Sequence, residues 1–165
     1  MARKQTRPAA TQEVVLEPVH LTCRACGSRM RMARHSQRTV TTLQGVTHLA
    51  LKVYRCRNTG CSRFHQATRP EEEGLWALPH GEFGLDVIAL VGALRYQEQR
   101  SIPQIPQELQ RRGVHIASRT VTDQLYRYEE LVALNLADPK RLQECLGKHG
   151  QVILAASRAA TRCRA

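Results

Sequence analysis

Four of the six cysteines in this 165-residue chain fall into two closely spaced pairs. The first reads Cys23-Arg-Ala-Cys26-Gly27, the second Cys56-Arg-Asn-Thr-Gly-Cys61. A C-x2-C followed by glycine is a knuckle. The tight turn aims two thiolates at one point, and Gly27 tolerates the positive φ that such turns need. Asn58 and Gly60 supply turn chemistry inside the second, looser pair. Four thiolates on two turns suit a closed, tetrahedral, structural Zn2+ site, whereas a catalytic zinc keeps a position open for water. A disulfide pair or idle core thiols explain the paired turns less well. His65, three residues beyond Cys61, is an alternative ligand in place of one sulfur. Cys145 and Cys163 are expected outside the site.

The second chemical signal is charge. The chain carries a formal +11, and a strongly basic protein implies an anionic partner, with nucleic acid the default. Ten basic residues lie between Cys23 and Arg69, and that span contains no Asp or Glu. Residues 70–150 carry nine Lys/Arg against twelve Asp/Glu. The excess therefore belongs to the cysteine-bearing segment, where Arg29, Arg31, Arg34, Arg38, Arg55 and Arg57 are candidate phosphate contacts.

The elements that must position these groups follow from pattern. Residues 1–20 are polar and aperiodic, with Pro8 and Pro18, and read as a disordered lead-in. In residues 21–69 the stretches Arg38–Leu43 and Val46–Arg55 look extended, with a turn at Gln44-Gly45. Such a hairpin would return the chain to deliver Cys56, as a zinc ribbon requires, with the metal supplying its folding free energy. Residues 70–82 read as a linker in which Leu75, Trp76 and Leu78 pin to a neighbour. From Phe83 apolar residues recur at three and four, giving a helix to near Gln99. Ser101 with Gln104 forms a capping box for a second helix closed by Gly113, and Ser118 caps a third with Val121, Leu125, Tyr128 and Val132 as its buried stripe. Two short helices joined through a glycine fit a helix-turn-helix over residues 83–137. Ser118, Arg119, Thr120, Thr122, Asp123 and Arg127 then lie where a recognition helix meets DNA bases and phosphates. A fourth helix starting at Asp138-Pro139 and an apolar strand at 151–155 follow, and residues 156–165 have no pattern. The fold class expected is a small zinc-ribbon β module followed by an all-α helix-turn-helix bundle, with an orphan C-terminal strand and a disordered tail.

Taken together, Cys23-x2-Cys26-Gly27, Cys56-x4-Cys61 with Phe64, the Ser118-Arg-Thr-Val-Thr helix with its trailing Tyr-Arg-Tyr-Glu-Glu, and Gly150-Gln-Val-Ile-Leu-Ala resemble the N-terminal region of bacterial DDE-type insertion-sequence transposases. The resemblance covers roughly residues 20–155. It implies double-stranded DNA at the element's ends as partner, and an RNase H-like catalytic domain that would follow residues 138–155. The family's first metal-binding Asp falls where this chain has Ala156-Ser157-Arg158, so no position can be assigned a catalytic carboxylate. We expect a truncated, non-catalytic chain with an out-of-frame tail, able to associate with itself or with an intact transposase. A stand-alone transcriptional regulator is the alternative. No Ser/His/Asp or Cys/His arrangement, HExxH or Gly-rich phosphate loop is present, so neither an enzyme nor a small-molecule substrate is expected. The first fifteen residues hold no apolar run and no stretch reaches the length of a membrane span, which points to the bacterial cytoplasm and nucleoid, away from membranes.

Overall fold

The computed structural model describes residues 9–140 together with Gln143 and Gly147. The strand expected at 151–155, the tail, Cys145 and Cys163 lie outside the described residues. The chain divides into two compact units, 1–128 and 129–165.

The first unit begins with a three-stranded sheet in the order β1-β3-β2. Strand β1 (Gln12–Leu16) runs parallel to β3 (Gly45–Cys56), and β2 (Met30–Thr42) runs antiparallel to β3. The β2–β3 turn is held by Thr42, whose hydroxyl donates to the Gly45 carbonyl (2.9 Å) and accepts from the Gln44 N–H (3.2 Å). Gly45 sits at φ +127°, and a Cβ there would stand 2.6 Å from the Thr11 hydroxyl oxygen. Only glycine lets β1's lead-in approach so closely.

Alternate residues of a strand face opposite sides. Leu49 and Leu51 of β3 therefore share one face with Leu16 of β1, and they form a buried cluster with Val40 and Ala77. That face is covered by the one-turn helix α1 (Glu73–Trp76), with Trp76 packed against the cluster. Buried Glu73 accepts from Arg38 (2.8 Å) and twice from Arg69 (2.7 and 2.9 Å). The other Arg38 nitrogen donates to the carbonyls of Leu78 and Gly81. Arg38 thus ties β2 to the segment after α1.

Helices α2 (Leu85–Tyr96), α3 (Ile105–Arg111) and the opening of α4 (Ser118–Leu136) enclose a second core of Val87, Val91, Leu94, Ile105, Leu109, Val114, Val121 and Leu125. The turn end of the sheet meets these helices through bonds between Thr41 and the backbone of residues 82–84, and from the Leu43 N–H to Asp86 (2.8 Å). The expected Ser101–Gln104 contact is present, with the Ser101 N–H donating to the Gln104 side chain (2.9 Å). Regular helix starts only at Ile105: the Ile105 N–H bonds to the Ser101 carbonyl (3.3 Å), but Pro106 has no N–H to continue that ladder. Gly113, at φ +81°, ends α3 in a Schellman motif: Val114 N–H bonds to Leu109 O (2.9 Å) and Gly113 N–H to Gln110 O (3.0 Å). Ser118 is the first helical residue of α4 rather than its cap; the Ala117 carbonyl receives the Val121 N–H (3.0 Å).

Within the second unit the described residues continue α4 to Leu136 and resume helix at Pro139. Asp138 caps that start by accepting the Lys140 N–H (3.0 Å). Among the described residues no helix is long and apolar enough to cross a membrane.

These observations overturn the expected fold class of a small zinc-ribbon module followed by an all-α bundle. A mixed three-stranded sheet comes first, with its own apolar core, and the helices pack into the same compact unit. Part of the presumed lead-in is strand β1, and β2 starts at Met30 rather than Arg38. The reason is physical. β1 gains its ladder from residues 35 positions later (Gln12 opposite Thr47), a pairing that leaves no local signal.

Candidate metal centre

Met30, the first residue of β2, pairs with Cys56, the last of β3. The hairpin thereby brings the two cysteine turns to one end of the sheet. The first turn is closed by Cys23 N–H to Ser28 O (2.9 Å), Gly27 N–H to Cys23 O (2.8 Å) and Met30 N–H to Leu21 O (2.8 Å). Gly27 has φ +69°, as the knuckle requires. In the second turn the Asn58 side chain accepts the Gly60 N–H (3.0 Å), and the Asn58 carbonyl accepts the Cys61 N–H (3.1 Å).

The result is one cluster. The sulfurs of Cys23, Cys26, Cys56 and Cys61 all lie within 4.8 Å of one another. Cys23 and Cys61 are 3.8 Å apart, Cys26 and Cys56 3.5 Å, and none is in a disulfide. Four sulfurs about 2.3 Å from a tetrahedral Zn2+ stand about 3.75 Å from each other. The donor set and its spacing fit a metal ion.

The four thiols are not alike. Cys26 is exposed and its pKa is held down to about 6, first by the Ser28 hydroxyl and then by the Ser28 N–H. Backbone N–H groups of Ala25 and Cys26 lower that of Cys23. Cys56 is buried, and burial pushes its thiol up to about 12. The Arg63 N–H meets the Cys61 sulfur at 3.4 Å. A bound cation favours the thiolate at all four positions, so metal affinity falls as the medium is acidified. His65 stands outside the cluster, exposed, with its ring edge-on to Phe64 at 4.9 Å.

The basic residues separate into two groups. Arg24 pairs with Glu71 (3.2 Å), Lys52 with Glu17 (3.0 Å), and Arg38 and Arg69 with Glu73. Acids flanking the acid-free span thus fold back onto it. Arg38, with 13% of its side chain exposed, is a structural tie and not a surface contact. Arg29, Arg31, Arg34 and Arg57 are exposed, Arg55 is half-buried, and none of the five forms an ion pair among the described residues. On α4, Ser118, Arg119 and Asp123 are exposed and Thr120, Thr122 and Arg127 half-buried, while Val121, Gln124 and Leu125 turn inward. Of the expected stripe, Tyr128 stacks on Tyr96 at 5.9 Å and Val132 is exposed.

The pairing of exposed Arg69 with buried Glu73 was missed from sequence, although their i, i+4 spacing was there to be read. No family model, curated protein or solved structure matches the chain.

Proposed function

We propose that the chain binds double-stranded DNA, as the N-terminal region of a DDE-type insertion-sequence transposase does, with Zn2+ as the structural metal at Cys23, Cys26, Cys56 and Cys61. One observation carries this reading. Arginines on the strand ends and knuckles, among them Arg29, Arg31, Arg34 and Arg57, remain exposed without a carboxylate partner among the described residues. Surface ion pairs stabilise little, yet Arg24, Lys52 and Arg69 of this span each meet a flanking carboxylate. Leaving these arginines unpaired suits a surface whose counter-charge comes from phosphates.

The sequence-reading part of the proposal rests on α3 and α4. The Schellman turn at Gly113 redirects the chain between them, and the first two turns of α4 offer Arg119 and Asp123 to solvent. In this reading the knuckle arginines grip the backbone and α4 reads bases.

Fluorescence anisotropy of labelled duplexes tests it. The metal-loaded chain should bind with an affinity that falls steeply with salt, and Arg119→Ala should cost about 1–3 kcal/mol on a preferred sequence while leaving random DNA almost unchanged. Equal losses on both would remove α4 as the reading element. Metal analysis should return about one zinc per chain.

A further inference from the structure

We propose that Arg31, Arg34 and Arg55 form a single phosphate clamp on the sheet, built by a β-bulge, which seats one backbone phosphate of DNA. Paired residues of neighbouring strands direct their side chains to the same face. Arg31 stands directly opposite Arg55, and Arg34 opposite Val53. Between these two pairings β2 takes three steps where β3 takes two, the register shift lying between Met32 and Arg34. Without the extra residue Ala33 would occupy the position facing Val53. The bulge puts Arg34 there instead, on the face that carries Arg31 and Arg55, and bulges re-aim side chains in this way. Cys56 follows Arg55 and so faces the other side. The clamp and the metal therefore occupy opposite faces of the same strand end.

Two features mark this cluster as more than a solvated basic surface. Like charges directly opposed across a strand pair are unfavourable, and no carboxylate among the described residues answers them. The Nε of Arg55 is also buried without a hydrogen-bond partner, alone in this among buried side-chain nitrogens and oxygens of the described residues. Such an orphaned donor calls for an explanation. The Nε itself is closed to solvent, so an oxyanion would reach Arg55 through its terminal guanidinium nitrogens, cancelling the repulsion and giving Arg55 the countercharge that the protein withholds. Arginine forks match phosphate oxygens bidentately, which a lysine cannot do.

The clamp rests on the DNA-binding reading, and the test separates the two. Salt titrations of duplex binding should be run on the metal-loaded full chain, on Arg31→Gln, on Arg55→Gln and on the double variant. If the arginines share one phosphate, each single change weakens binding about 10-fold. Each should also reduce the slope of log K against log salt by about 0.9. The double variant should then lose little more than either single, because the contact is already gone. Losses that multiply, with a slope reduced by about 1.8 in the double variant, would show separate contacts and overturn the clamp while leaving DNA binding intact. A wild-type chain without salt-dependent DNA binding would overturn both. Should Arg55→Gln fail to fold, Arg31→Lys on the exposed edge carries the test: it should keep the slope yet lose affinity, and unchanged affinity would refute the fork.

Discussion

The two ends of the β2–β3 hairpin are closed by different physics. At the turn end Val40, Leu49 and Leu51 are buried with Leu16 and Ala77, and the helices join through Thr41 and Leu43. At the open end Cys23, Met30 and Cys56 form a buried cluster, with Tyr54 and Cys61 packed against it, and Val53 is buried nearby. The first end is packed around these apolar side chains, whose burial contributes about 25 cal/mol per Å2. The second has a smaller cluster, and its strands carry arginines where the other end carries leucines and valines. Four clustered sulfurs, able to hold a metal ion, stand there in place of a larger apolar core. The lesson is one of division: the stability of the unit sits where the helices dock, and the chemistry sits where the core runs out. The expectation that metal supplies the folding energy of the whole β segment changes accordingly. The sheet has an apolar cluster of its own, so a metal held by the four sulfurs would act at the cysteine end.

The sharpest way to break this comparison is to damage the end held by burial. Leu49→Ala should cost about 2–5 kcal/mol in urea denaturation, and the loss should appear in the sheet and the helices together because they pack in one compact unit. A change confined to the sheet would mean the helices stand alone. Glu73→Ala comes next. It strips the countercharge from Arg38 and Arg69 and should cost about 3 kcal/mol, the lower end of the range for breaking a buried pair. Glu73 also sets a pH dependence. Burial acts to raise its pKa, but the guanidinium groups of Arg69 and Arg38 outweigh that and hold it below the ordinary value of 4.5. A carboxyl with a lowered native pKa contributes stability that is fully present above its unfolded value and is lost as pH falls through the native one. Wild type should therefore weaken in acid more than Glu73→Gln does. Parallel acid profiles would remove this role.

At the other end the effects should be local. Stripping the metal with a chelator should release amide-exchange protection around Cys23–Gly27 and from Asn58 to Phe64, while amides of Leu49, Leu51 and Val91 stay protected. Cys56→Ser should imitate metal loss more fully than Cys26→Ser, since Cys56 is buried and Cys26 exposed. Loss of protection throughout the sheet on chelation would show that the metal holds more than its own end.

The cysteine end was the legible part of the sequence. Two pairs with glycine and asparagine turns sufficed to name four sulfurs that the fold brings within 4.8 Å. Helices were legible too, from the three-and-four recurrence between Phe83 and Leu125 and from Gly113. Their starts were not, because Pro106 has no N–H to continue the ladder before α3 and a backbone carbonyl, not Ser118, receives the first bond of α4. Illegible were the features made by distant partners. β1 gains its ladder from Thr47–Leu51 beside it, and β2 is paired with β3 from Met30 onward. The acid-free span also misled: Glu17, Glu71 and Glu73 lie outside it in sequence and against it in space. Charge counted along a chain is not charge counted on a surface.

The smallest effect bears on the open end alone. Arg31 and Arg55 are cross-strand neighbours of like charge, so Arg31→Gln should stabilise the free, metal-loaded protein, by about 0.2–1 kcal/mol at low salt. Screening provides the control, because a Debye length of about 3 Å at 1 M salt leaves little repulsion to relieve. The gain should therefore shrink towards zero as salt is added. The corresponding change at the turn end, Gln44→Ala, has no opposed charge to relieve and should show no salt-dependent gain. Thermal denaturation of both variants across a salt series decides the matter. If Arg31→Gln destabilises at every salt concentration, the arginine is held by the fold as Arg38 is, and the open end is not charged at a cost to stability. If it stabilises only at low salt, the arginine end carries a repulsion that folding alone does not require.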